Sequence, residues 1–299
     1  MALSLEQALT GISGILVTPY DANGDVAPQK LIPILDRALG AGLHMPVVNG
    51  NTGEFYALTT EEASTMVREV VRLVDGRAPV LAGIGRGIRD AMALAKTSAE
   101  AGATALMVHQ PPDPFVSPRG IVDYLKAIAD ASGGLPMMLY LRNDAIGTKA
   151  ISDLCALPQV KGIKWAAPNP LKLAEAKAAC DPSLIWVGGL AEIWAPAFYA
   201  VGARGFTSGL INVWPERSLA IHAALEAGDF AIANDLIAGM KTFEEIRAEE
   251  MNGTNVTGVK AALLALGRDC GPTRPPSAWP LTPEQQAELD AFIVQNQIA

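Results

Sequence analysis

The chain has 299 residues, 50% of them hydrophobic and 18% charged, with three cysteines and a formal net charge of −8. That length holds one barrel-sized domain or two smaller ones, and the composition excludes a disordered or low-complexity chain. An acidic balance without any basic run excludes nucleic acid and anionic membrane as partners. Cys155, Cys180 and Cys270 are too few for a disulfide framework, which fits a reducing compartment. The opening MALSLEQALTGISG lacks the basic and apolar regions of a secretory signal, and no long uncharged apolar stretch follows. A cytoplasmic protein is the expectation.

Short apolar runs alternate with segments of helical period. The first four runs are Gly14–Pro19, Met45–Gly50, Pro79–Gly85 and Ala105–Gln110. Four more follow at Pro136–Arg142, Lys161–Ala166, Leu184–Gly189 and Ala203–Gly209. Runs of about six residues without polar alternation suit strands buried on both faces of a parallel sheet. Between them, Thr60–Val74 reads as a helix opening at Thr60, with Glu61 and Glu62 placed where the helix dipole favours anions. Its Met66, Val67, Val70, Val71 and Val74 form one apolar face. Arg89–Gly102 and Arg217–Gly228 are helical segments that stop on glycine.

Eight such units predict an α/β fold, a (β/α)8 TIM barrel over residues 1–228. Gly83-Ile-Gly85-Arg-Gly87 is not the dinucleotide fingerprint and reads as a tight strand-to-helix turn. Residues 229–299 are expected to add a C-terminal helical appendage of three helices, with the proline-rich Cys270–Pro283 as a connector.

Chemistry in such a barrel lies at the C-terminal ends of the strands. Lys164 stands inside the apolar run Gly162-Ile-Lys-Trp-Ala166. Desolvation there lowers an amine's pKa, and a neutral amine attacks a ketone to form a Schiff base. The competing reading is a lysine paired with a buried carboxylate, although none of the eight runs carries Asp or Glu. Tyr140, in the preceding run, is placed beside Lys164 by strand adjacency. It either relays protons or simply fills the barrel.

Asn49-Gly-Asn-Thr-Gly-Glu54 follows the second run. Its glycines, Gly50 among them, let backbone N–H groups approach an anion, and Asn51 and Thr52 add donors suited to a carboxylate. A turn without a ligand explains the glycines equally well. Glu54 is expected to hold the loop rather than bind substrate. His44, His109 and His222 are too scattered for a metal site, and no metal or other cofactor is implied.

GNTGEFYALTTEE at Gly50–Glu62, strand-borne Tyr140 and the GIKWA lysine resemble the dihydrodipicolinate synthase/N-acetylneuraminate lyase superfamily across essentially the whole chain. The resemblance implies a Schiff-base lyase acting on a small-molecule 2-oxo acid, assembled as a homotetramer. Carried over by position, Lys164 forms the imine, Tyr140 shuttles protons, and Asn51 with Thr52 holds the substrate carboxylate. Three departures separate the chain from dihydrodipicolinate synthases. Asn51 replaces a relay threonine, His109-Gln-Pro-Pro-Asp-Pro-Phe115 replaces a Tyr-Tyr pair, and Ala145 stands where those enzymes carry an arginine.

Tyr140-Leu-Arg-Asn-Asp-Ala-Ile146 and Pro111-Pro112 are instead similar to 5-dehydro-4-deoxyglucarate dehydratases. Trp165-Ala166 and Thr207-Ser-Gly-Leu210 depart from those in turn. A dehydratase of a keto-deoxy sugar acid is the leading expectation. A pyruvate-releasing aldolase shares its early steps, and a keto-acid-binding module is the non-enzymatic alternative. Arg142, Asn143, Thr207, Ser208 and Asn212 are the candidates for meeting the distal part of the substrate; Arg142 either pairs with a second carboxylate or is a surface arginine at the strand end.

Overall fold

The computed structural model describes residues 3–299. Its eight strands are β1 (Ile12–Ile15), β2 (Met45–Val48), β3 (Leu81–Ile84), β4 (Ala105–His109), β5 (Met137–Leu141), β6 (Val160–Trp165), β7 (Ile185–Gly188) and β8 (Phe206–Ser208). All pairs are parallel, and β8 returns to β1, closing the barrel in chain order.

A short helix, α1 (Leu5–Leu9), precedes the barrel and packs Ala8 and Leu9 into its interior cluster. The helices that return the chain from each strand to the next are α2 (Ile32–Ala41), α3 (Thr60–Val74), α4 (Ile88–Ala101), α5 (Pro118–Ala131), α6 (Thr148–Cys155), α7 (Pro170–Ala178) and α8 (Ala191–Ala200). The eighth, α9 (Pro215–Glu226), completes the set.

The side-chain period of two along each strand sorts the core into two clusters. Met45, Val47, Leu81, Ala105, Met107, Met138, Tyr140 and Val187 fill the barrel. Alternate residues such as Val48, Leu106, Leu139, Ile163 and Trp165 pack outward against the helices.

Local chemistry sets the boundaries. Helix α3 is capped at Thr59, one residue before the expected start: Thr59 accepts from Glu62 N–H, and Glu62 accepts from Thr59 N–H at 2.7 Å. Strand β1 starts and ends earlier than its apolar run, because residues 16–19 turn to brace neighbouring loops. Thr18 donates to the Gly53 carbonyl at 2.6 Å, and Val17 N–H donates to Asn212 at 3.2 Å. Gly83 lies inside β3 rather than in the expected turn: a Cβ would run into the Asn49 carbonyl, so the glycine lets the backbone at the end of β2 come close.

The C-terminal extension holds four helices where three were expected: α10 (Phe230–Ala238), α11 (Lys241–Asn252), α12 (Asn255–Ala265) and α13 (Pro283–Gln295). The chain leaves helical geometry near the end of α11, with extended backbone at Glu249 and left-handed backbone at Glu250, Met251 and Asn252, before two residues lead into α12. Phe243, Ile246, Val259 and Phe292 join the same hydrophobic cluster as the outer barrel layer. Two ion pairs fasten the extension to the β2 side. Lys260 meets Glu54 at 2.6 Å with both side chains almost fully buried, and Arg274 meets Glu62 at 2.6 Å. No helix among the described residues is long and apolar enough to cross a membrane.

Candidate active site

The C-terminal ends of β5 and β6 set the centre. Tyr140 and Lys164 are direct register partners, both on the barrel-interior face. Lys164 Nζ stands 3.9 Å from the centroid of the Tyr140 ring. Both residues are buried, at 4% and 3% exposure. Burial, helped by the nearby Arg142 charge, pulls the Lys164 amine down to about 7. No carboxylate acts on it, so the paired-lysine reading does not describe this position. Burial likewise pushes the Tyr140 phenol up to about 12, so it holds its proton at neutral pH.

Asn51 Nδ2 donates to the Tyr140 phenol oxygen at 3.0 Å, which ties the β2 loop to the β5 tyrosine. The loop turns on itself through Gly53 N–H to the Gly50 carbonyl at 3.0 Å and Glu54 N–H to the Asn51 carbonyl at 2.9 Å. Among the described residues, the N–H groups of Asn51 and Thr52 have no such partner. Two adjacent free N–H groups beside a cavity form a concavity suited to an anion.

Lys164, Tyr140, Asn51, Thr52, Arg142 and Thr207 line one cavity of about 560 Å³. Gly50 does not line the cavity; it belongs to the turn below Asn51, with Ile15 where its Cβ would go. Ser208 faces the other way. As the neighbour of inward-facing Thr207 it points out of the barrel, where it donates to Glu192 at 2.5 Å and contacts Ser218 at 3.1 Å. Asn212 is also committed elsewhere, donating to the carbonyls of Ile15 at 2.8 Å and Gly209 at 2.9 Å. Asn143 caps the turn after β5 by accepting from Ala145 N–H at 2.9 Å.

His109 lies next to Tyr140, with ring centroids 5.2 Å apart, and Nε2 meets the Asn49 carbonyl at 3.0 Å. Burial pulls it down to about 3, so it is a neutral packing group at physiological pH. Phe115, in the same replaced segment, is 92% exposed. Glu54 is consumed structurally: besides Lys260, it accepts from Arg274 N–H at 2.8 Å. No group of three or more His, Cys, Asp or Glu residues gathers to hold a metal among the described residues.

One wall was not anticipated. Glu244, Arg247, Asn252 and Asn255 of the extension line the same cavity. Glu244 and Arg247, three residues apart in a charged helix, read in sequence as an ordinary solvated pair, and only the fold turns them inward.

A closed parallel barrel with a desolvated amine and a phenol at adjoining strand ends is the arrangement of a class I lyase. The family model for the dihydrodipicolinate synthetase family matches residues 8–296. The chain is 32% identical to a probable 5-dehydro-4-deoxyglucarate dehydratase of Rhizobium rhizogenes, with 97% of each covered. It is 30% identical to a 4-hydroxy-tetrahydrodipicolinate synthase of an Exiguobacterium species, covering 94% of this chain and 95% of the relative. The crystal structure of dihydrodipicolinate synthase from Oceanobacillus iheyensis matches with a TM-score of 0.93 at 36% identity, covering 98% of both chains. The chain belongs to the dihydrodipicolinate synthetase family and is an enzyme of its class I lyase type.

Proposed function

We propose that the enzyme dehydrates a keto-deoxy sugar acid of the 5-dehydro-4-deoxyglucarate type through a Schiff base on Lys164. One observation carries the reading: a buried amine with a pKa near neutrality, set over a protonated phenol and beside two free backbone N–H groups. The dehydratase outcome is supported by the Tyr140–Ile146 stretch, by Pro111-Pro112 and by the Rhizobium relative.

The substrate carboxylate next to the ketone sits on the Asn51 and Thr52 N–H groups, and Arg142 receives the distal carboxylate. Neutral Lys164 adds to the keto carbon. Tyr140 gives its proton to the carbinolamine hydroxyl, water leaves, and the phenolate faces the iminium cation it helped to form. The phenolate then takes a proton from the neighbouring carbon, giving the enamine. That proton goes next to the β-hydroxyl, whose C–O bond breaks with loss of water. Decarboxylation and hydrolysis of the imine release product and free Lys164. Thr207 contacts the chain of the substrate from β8. The partner is thus a small-molecule keto acid, and the family resemblance adds a tetramer of this chain.

Incubation with 5-dehydro-4-deoxyglucarate, followed by product analysis, tests the reaction type. Loss of water and carbon dioxide is the expected result. Release of pyruvate would make the enzyme an aldolase, and unchanged substrate would refute both.

A further inference from the structure

Two arginines line the cavity in different electrostatic settings. Arg142, at the β5 end, is exposed and has no carboxylate partner in the cavity wall. Arg247, supplied by the extension, is buried and already neutralised by an ion pair with Glu244, whose side chain is 9% exposed. Arg247 Nε also donates to the Asn255 carbonyl, and Nη2 donates to Asn255 Oδ1, each at 3.1 Å.

This wall is built with some care. A Cβ on Gly209 would lie 2.5 Å from Arg247 Nη2, and one on Gly258 would lie 3.0 Å from Arg247 Cγ. Both glycines therefore clear the space in which the arginine lies. A guanidinium has five N–H donors, and three of Arg247's are used by Glu244 and Asn255. Two donors remain. Glu244 retains acceptor capacity, and the amides of Asn252 and Asn255 add further donors and an acceptor.

A wall that is neutral overall but dense in both donors and acceptors is poorly matched to a bare anion. It is well matched to hydroxyl groups, each of which donates once and accepts twice. We propose that the Glu244–Arg247 pair, with Asn252 and Asn255, is the hydroxyl-reading subsite of the enzyme, supplied by the C-terminal extension. The preferred ligand is then a polyhydroxylated keto acid rather than an unsubstituted one. This rests on the Schiff-base reading above, because Lys164 anchors the ketone end while the extension reads the far hydroxyls. An unsubstituted chain would leave the two remaining donors of buried Arg247 without partners, the situation in which a polar site discriminates most strongly.

Half-saturation of borohydride trapping on Lys164 provides the test, since it reports binding without requiring turnover. The two probes are 5-dehydro-4-deoxyglucarate and 2-oxoadipate, a six-carbon keto diacid without hydroxyls. The expected result is at least about 100-fold tighter half-saturation for the hydroxylated probe in the unaltered enzyme. Gly209→Ala, which displaces the guanidinium, and the doubly neutral Glu244→Gln/Arg247→Gln variant should each shrink that ratio toward one. They should do so by weakening the hydroxylated probe. Equal half-saturation of both probes in the unaltered enzyme, or parallel weakening of both in Gly209→Ala, would overturn the subsite while leaving the Schiff base intact. No adduct with either probe would instead overturn the Schiff-base reading and this one with it.

Discussion

Tyr140 and Lys164 pair in register across β5 and β6, and the lysine amine lies 3.9 Å from the centroid of the phenol ring. In the proposed mechanism the contact matters more for the intermediate than for the resting enzyme. Burial favours the uncharged amine, the form that attacks a ketone. Once the imine forms and is protonated, a cation lies over the ring face, and such contacts are worth about 2 kcal/mol when desolvated. On this proposal the tyrosine serves twice, as proton carrier through its hydroxyl and as a cation-stabilising face through its ring.

These two services separate in one substitution. Tyr140→Phe keeps the ring and removes the hydroxyl, so kcat should fall by about two to four decades while imine trapping persists at a reduced rate. Steady-state kinetics alongside trapping rates would show this. A loss smaller than tenfold would return Tyr140 to barrel filling.

The pH dependence follows from Lys164. With a folded-state pKa of about 7, the reactive free amine accumulates as pH rises through neutrality. The kcat/KM profile should therefore climb with an apparent pKa near that value and then level off. An ordinary lysine would continue climbing toward about 10.4. A profile flat from acid to neutral pH would contradict the assignment.

The same shift predicts a stability effect. Folded Lys164 releases its proton near pH 7, whereas in the unfolded chain the proton stays until about pH 10.4. Between those values the unfolded state binds more protons, so stability rises with pH across the window, and the penalty is fully present below it. Lys164→Met should be inactive yet more stable, by about 4–5 kcal/mol at pH 6, with the gain fading as pH approaches 10. Denaturant melts at the two ends of that range would measure it. A destabilised Lys164→Met at pH 6 would show that the lysine is not desolvated.

Lys260 is the instructive contrast, since it too is a lysine within an apolar stretch, and its side chain is fully buried. Its partner Glu54 makes it structural. Lys260→Met leaves that carboxylate uncompensated and should cost about 3–5 kcal/mol, with most of the loss restored by adding Glu54→Gln. Thermodynamic double-mutant cycles would show the coupling, and additive losses would refute the pairing.

Much of this was legible in the chain, for identifiable reasons. The eight strands announced themselves because both faces of a closed parallel sheet are buried, which removes polar alternation. Lys164 was legible for the same reason: a charge in such a run is out of place. Ser208 was misplaced although the strand period speaks against it, because neighbours on a strand cannot both face the interior and Thr207 already does. Arg247 could not be found, since its inward orientation depends on where the extension docks and on the clearance at Gly209 and Gly258. The distinction between Lys164 and Lys260 was equally invisible. It rests on Glu54, which only the folded β2 loop brings within 2.6 Å.

The central claim is that Lys164 forms a covalent imine with a keto acid, and borohydride trapping read by peptide mass spectrometry tests it most directly. Incubation with 5-dehydro-4-deoxyglucarate, and separately with pyruvate, should leave a reduced adduct on the peptide bearing Lys164 and none in Lys164→Ala. An adduct on another lysine, or full turnover by Lys164→Ala, would contradict the account.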